Sequence, residues 1–199
     1  MHVRAPAILI AARQHGETAV VARFLTEEYG LVAGYVAGGR GRQLRPVVIP
    51  GNAVDLQLAA RSESQLPFAK VELVTSRGPW LGEPLAAAAI GWACALTATA
   101  LPEREPYPTL YNALGGVLEA ICNAPSARGW ASALVGYEIL LLRELGYGGA
   151  DRRPEGDMQQ VLEAMDALAP SLDHYLLADR RGDVMAARAR LRQLLGRTL

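Results

Sequence analysis

Three arginines, Arg40, Arg42 and Arg45, punctuate the stretch Gly34-Tyr-Val-Ala-Gly-Gly-Arg-Gly-Arg-Gln-Leu-Arg-Pro46. A guanidinium stays protonated in proteins and meets a phosphate with two parallel N–H donors. The glycines between the arginines let the backbone come close to a ligand. The chemistry this pattern suits is the holding of phosphates, on a flexible loop that comes after an apolar run. It is not a nucleotide loop of the G-x-x-x-x-G-K-[ST] type, and the residues after it are proline-rich rather than helical. In the same half of the chain, Arg13, Arg23, Arg61 and Lys70 add positive charge and Tyr35 adds a ring. A positive groove with an aromatic in it is what single-strand binding requires. Phe24, Tyr29 and Phe68 each read as core, which leaves Tyr35 as the ring best placed to stack a base.

Residues for catalysis are not arranged to work together. His2 is near the terminus, His15 sits in a turn and His174 in a short helix. None has a carboxylate and a nucleophile at a spacing that suggests a triad. Glu27 and Glu28 are adjacent, so their carboxylates point apart. Cys94 and Cys122 lie in apolar helical text and read as buried thiols, and without a C-x-x-C pair no structural zinc is expected. The expectation is a non-enzyme without a cofactor.

Whatever holds the arginines must be built from residues 1–77, which read as strands. Ala7–Arg13, Glu17–Thr26 and Leu31–Ala37 come first, separated by turns at His15-Gly16 and at Glu27-Glu28-Tyr-Gly30. Ala53–Arg61 alternates, with Val54, Leu56 and Leu58 on one face and Asp55 and Gln57 on the other. Leu66–Thr75 is the fifth strand, with Phe68, Val71 and Leu73 as its apolar members. Five short strands with glycine-rich connections suit an OB-fold barrel, whose face and loops bind single strands.

After Trp80 the pattern turns helical. Glu83–Leu101 is alanine-rich and stops at Pro102. A second helix opens at Pro106 or Pro108, where proline is tolerated, and runs to about Asn123. Ser126 would cap a third, Ala127–Leu145, whose Trp130, Leu134, Tyr137, Leu141 and Leu145 recur every three or four residues. Its wide apolar face reads as core, part of which could line a groove for a partner's peptide. Gly146 to Gly149 ends it, and Asp151 to Asp157 reads as a polar linker. Shorter helices come next at Met158–Leu168 and Leu172–Ala178, and a last one from its cap, Asp183, to about Gly196. Arg188, Arg190, Arg192 and Arg197 on this last helix read as a solvated face, with a second phosphate-contacting patch as the weaker reading. The fold class is α+β: an OB-fold domain at 1–78 and an all-helical domain at 79–199.

Charge is sorted rather than accumulated. The 199-residue chain is neutral overall, with 20 Lys and Arg against 20 Asp and Glu. Residues 1–80 carry a net of +3 and residues 81–199 a net of −3. Binding of nucleic acid by net charge alone is excluded; binding by a local basic patch is not. No signal peptide or membrane-spanning run is evident, so a cytoplasmic protein without membrane contact is expected.

The order of these motifs resembles the bacterial recombination mediator family RecO. Its features are matched by Gly16-Glu17, Leu25-Thr26, Gly30-Leu31 and Gly39-Arg40, then Leu44-Arg45-Pro46, then Pro50 with Val54 and Leu56. In the helical half, the family's aromatic-Glu segment ending in Gly-Tyr-Gly is matched from Tyr137-Glu138 through Gly148. The resemblance covers most of residues 5–150. It implies an OB-fold that binds single- and double-stranded DNA and anneals complementary strands without ATP. It implies as partners RecR, the C-terminal tail of single-strand binding protein and, indirectly, the recombinase RecA, in a nucleoid-associated setting. The arginines Arg40, Arg42 and Arg45, with Arg13, Arg23, Tyr35, Arg61 and Lys70, would form the DNA site. The chain departs from the pattern in three places. Gly38 stands where lysine is frequent, Leu44 where serine is, and Asp151-Arg-Arg-Pro-Glu-Gly156 where many members carry zinc-binding cysteines. One backbone contact to DNA is therefore expected to be missing, and zinc absent. The alternative reading is a generic OB-fold module that binds protein or RNA without annealing.

Overall fold

The computed structural model describes residues 2–62, 65–148, 152–155, 157–178 and 184–198. Its contacts divide the chain into two compact units, Met1–Gly82 with Leu101–Tyr111, and Glu83–Ala100 with Asn112–Leu199.

The first unit is a closed barrel of five strands: β1 (His2–His15), β2 (Ala19–Thr26), β3 (Gly30–Val36), β4 (Ala53–Ala59) and β5 (Phe68–Thr75). Their order round the barrel is β1-β2-β3-β5-β4, the OB-fold expected from the sequence. Alternation does the sorting. Val54, Leu56 and Leu58 of β4 point inward, while Asp55 and Ala59 are exposed. On β1, Val3, Ala5, Ala7 and Leu9 are buried, with exposed His2, Arg4 and Pro6 between them. Pro6 sits where β1 pairs with β4 and its pairing to β2 has not yet begun, so its missing N–H is tolerated. A bulge between Leu9 and Ala11 bends β1 from one neighbour to the other, which helps close the barrel. Leu9, Phe24, Leu56 and Leu58 fill the interior.

β1 extends well beyond the expected Ala7–Arg13, because its first residues pair with β4 as far as His2 opposite Ala59. Phe68 and Leu73, expected among the apolar members of the core, are exposed. The outward parity of β5 is set by Lys70 and Glu72, and Phe68 shares it. Leu73 lies beside the irregularity where β4 slips register between Ala53 and Val54.

The segment Leu101–Tyr111 returns to the barrel. Arg104 N–H donates to Leu31 O at 2.8 Å. Gly30, with φ +65°, lies so close to the Glu105 backbone that a β-carbon there would collide with it.

The second unit contains α1 (Pro84–Ala100), α3 (Ala131–Glu144), α4 (Met158–Ser171) and α5 (Val184–Gly196), with most of α2 (Pro108–Asn123). Ser126 caps nothing with its side chain. A short 3₁₀ turn, Ala127–Gly129, intervenes, and the non-helical Trp130 (φ −133°) delays α3 to Ala131. α4 does not stop at Leu168. It passes through Pro170 into a π-helical turn, Leu172–Leu177, so the two short helices expected there are continuous. Gly146 (φ 84°) ends α3, and Tyr147 N–H closes back on Leu142 O at 2.8 Å. Gly149, Asp151, Gly156 and the expected cap Asp183 lie outside the described residues. Cys94 and Cys122 are buried and not joined in a disulfide. Among the described residues no helix is long and apolar enough to cross a membrane.

Candidate nucleic-acid interface

The arginine segment is not a free loop. Arg40 N–H donates to Thr18 O at 3.0 Å, and its guanidinium Nη1 donates to Glu17 O at 2.9 Å. Both bonds tie the segment to the β1–β2 turn. From Gly41 the backbone winds in helical turns, with Arg45 N–H on Gly41 O and Val48 N–H on Leu44 O, each at 2.9 Å. Leu44, Val47 and Val48 pack against the barrel core. Buried Asn52 fastens the far end. Its Nδ2 donates to Pro46 O and Val47 O, and its Oδ1 accepts from Arg77 N–H at 2.7 Å. Leu44 is therefore a stopper in the barrel mouth, which accounts for an apolar residue at that position. Arg40 and Arg45 stay exposed and edge a recess of about 350 Å³ with Gln14 and Val20, while Arg42 is exposed beside them.

The strand residues form a row on the outside of the barrel. Arg13 lies opposite Val21, Val21 opposite Tyr35, Tyr35 opposite Phe68, Phe68 opposite Ala59 and Ala59 opposite His2. Directly paired residues share a face. Along this row the rings of His15 and Tyr35 meet edge-on at 5.8 Å, and those of Tyr35 and Phe68 at 5.3 Å. Tyr35 is half-buried between its neighbours, whereas Phe68 is 64% exposed. His15, read from sequence as a simple turn residue, thus joins the aromatic row. The turn it precedes is the one that receives Arg40.

The remaining expected residues divide. Arg61 is exposed beside Phe68 and lines a recess of about 920 Å³ with His2 and Leu66. Lys70 is exposed and pairs with Glu72 at 3.1 Å. Arg23 is half-buried on the outer face and turned to Glu103 at 3.3 Å, so part of its charge is already answered.

On α5 the solvated-face reading fails for Arg188. It is 3% exposed, and its Nε and Nη2 donate to Glu138 of α3 at 2.9 and 2.7 Å. Trp92 Nε1 of α1 donates to the same carboxylate at 2.7 Å, and the guanidinium lies over the Trp92 ring. Burial of a charge requires such partners. Arg192 forms a two-pronged pair with Asp166 of α4 at 2.9 and 2.7 Å. Both arginines are thereby engaged within the helical unit, while Arg190 and Arg197 are exposed.

The family model described as Recombination protein O N terminal matches residues 1–77, and that described as Recombination protein O C terminal matches residues 81–149. The chain belongs to the RecO family. It is 44% identical over 144 residues to the DNA repair protein RecO of Rhodospirillum centenum, an alignment covering 71% of this chain and 56% of that protein. With the protein of the same name from a Ruegeria species it shares 40% identity over 149 residues, 74% of this chain and 61% of the relative. The chain thus spans less than two thirds of the length of these curated relatives. The motifs that match the RecO family have structural duties here. In Leu25-Thr26, the threonine Oγ1 donates to Gly30 O and accepts from Tyr29 N–H, each at 3.0 Å, which fixes the β2–β3 turn. In Tyr137-Glu138, the glutamate is the buried acceptor for Trp92 and Arg188, and the tyrosine hydroxyl lies 2.6 Å from Thr97 Oγ1. Burial pushes the Tyr137 hydroxyl far above its ordinary pKa, so it stays protonated.

Proposed function

We propose that this chain is a DNA-binding recombination mediator. In this reading residues 1–78 are the DNA-binding module, and they hold single and double strands. The chain anneals complementary single strands without ATP and helps load the recombinase RecA onto DNA coated with single-strand binding protein. Residues 79–199 are the module that holds the C-terminal tail of single-strand binding protein, and RecR is a further partner of the chain. Membership of the RecO family supports the assignment to DNA repair and recombination. The observation that carries the DNA-binding part is the arginine segment, anchored at the barrel mouth by the bonds of Arg40 to the β1–β2 turn. Arginines there neutralise phosphates and release counterions, which lowers the repulsion between two approaching strands.

A salt titration with a single-stranded oligonucleotide tests the site. Each phosphate contact contributes about 0.7 to the slope of log affinity against log salt, so replacing Arg40, Arg42 and Arg45 by alanine reduces the slope by up to about 2. An unchanged slope would remove the segment from the DNA site. An annealing assay without ATP tests the activity. If complementary strands pair no faster than in protein-free buffer, a protein- or RNA-binding module is what remains.

A further inference from the structure

We propose that the outer face of β1, β4 and β5, centred on Phe68, is a second site for single-stranded DNA, separate from the barrel mouth at Arg40 and Arg45. The inference rests on the reading of this chain as a DNA-binding protein and adds to it a second track and a mode of contact.

Phe68 is the most exposed large apolar side chain among the described residues. It stands between two adjoining recesses, of about 920 and 440 Å³, and lines both together with His2 and Ala59. Arg61 edges the first, and Arg4 and Lys70 edge the second. The register sets the two cations of the second recess across β4 from one another, Arg4 opposite Gln57 and Gln57 opposite Lys70. Two strand spacings separate them by roughly 10 Å, short enough for neighbouring phosphates of one extended strand. Glu72 shares this face and holds Lys70, but both partners are well exposed. Such a pair is worth little and yields to a phosphate.

An exposed ring flanked by guanidinium and ammonium groups matches the needs of an unpaired nucleotide. The ring stacks a base and the cations hold the backbone. Duplex DNA keeps its bases stacked on each other, so the ring selects single strands. Tyr35 braces Phe68 edge-on at 5.3 Å and so fixes the orientation of the platform. None of the residues lining these recesses lines the recess at Arg40 and Arg45. One barrel therefore offers two tracks and can hold two strands, or two stretches of one strand, at the same time.

The test is the number of short oligo(dT) strands carried per chain, read by native mass spectrometry at low salt with affinities from anisotropy. The wild-type chain is expected to carry two. Phe68→Ala and the pair Arg4→Ala/Arg61→Ala should each leave one, with the affected affinity lowered about five-fold or more, through loss of a stacked base in the first and of phosphate contacts in the second. The triple substitution of Arg40, Arg42 and Arg45 should also leave one, and combining it with Phe68→Ala should leave none. All these side chains are exposed, and Arg40→Ala keeps the backbone bond to Thr18 O while losing the guanidinium bond to Glu17 O, so the fold is retained. If Phe68→Ala and Arg4→Ala/Arg61→Ala change nothing, or if the wild type carries one strand that only the triple arginine substitution releases, the second site is refuted and the mouth site stands. If that one strand is released only by Phe68→Ala, the mouth site falls and the pair of tracks with it. If the wild type binds no strand at all, both fall together.

Discussion

Glu138 carries three hydrogen bonds in the interior of the helical unit, one from Trp92 and two from Arg188. Removing one member of such a buried pair leaves an unanswered charge, at a cost of about 3–5 kcal/mol. Glu138→Ala should therefore lower the unfolding free energy in urea by about 3 kcal/mol or more. Replacing both residues by apolar ones, Glu138→Leu with Arg188→Met, should recover most of that loss. A single substitution that leaves the urea midpoint unmoved would show the pair to be dispensable. Asp166 and Arg192 make the opposite case, because both are substantially exposed. The hydrogen bonds from Arg192 hold the Asp166 carboxyl below its usual range. A carboxyl lowered in the folded state adds stability above its unfolded pKa and loses it as pH falls through the folded value. Wild type should thus exceed Arg192→Ala by a small margin at neutral pH, about 0.2–1 kcal/mol. Thermal melts taken at decreasing pH should show that margin closing below the ordinary carboxylate range, and a margin that grew on acidification would contradict the linkage.

At the scale of elements, two glycines with the same backbone geometry have different surroundings. Gly16 and Gly30 both have φ near +60°, but a β-carbon on Gly16 meets open space and one on Gly30 meets the Glu105 backbone. Gly16→Ala should cost only the left-handed penalty, about 1–2 kcal/mol. Gly30→Ala should cost more and should also loosen Leu101–Tyr111, seen as faster amide exchange at Arg104. Equal costs would mean that this return segment does not brace the barrel. These pairings also mark how far the sequence could be read. The alternation of β4 suffices to place that strand and its inner face. The glycines around Arg40 suggest a mobile loop, yet Leu44, Val47 and Val48 recur at helical spacing, and that signal points to a folded turn with one apolar face. Phe68 sits two residues before Lys70, so its outward parity was legible as well. The Trp92–Glu138–Arg188 group was not. Its members lie 46 and 50 positions apart on three helices, and no local period links them.

For the whole molecule, a neutral chain must bind a polyanion through the placement of its charges rather than their total. The screening length at physiological salt is about 8 Å, so a charge acts on DNA only where it lies close to the strand. The β2–β3 turn provides a control within the barrel unit itself. Glu28 is exposed there, and β3 runs from Gly30 to Val36 before the arginine segment begins. At about 3.3 Å per residue the strand sets the turn roughly 20 Å from the mouth, more than two screening lengths. Glu28→Lys raises the net charge by two, yet it should change affinity for single-stranded DNA less than two-fold at physiological salt. Arg40→Ala removes only one charge and should weaken binding several-fold, as well as lowering the salt slope by about 0.7. Anisotropy titrations of both variants at two salt concentrations decide the matter. If affinity followed net charge, Glu28→Lys would strengthen binding more than Arg40→Ala weakens it. The anchored arginine turn would then be no more than one contributor to a diffuse field.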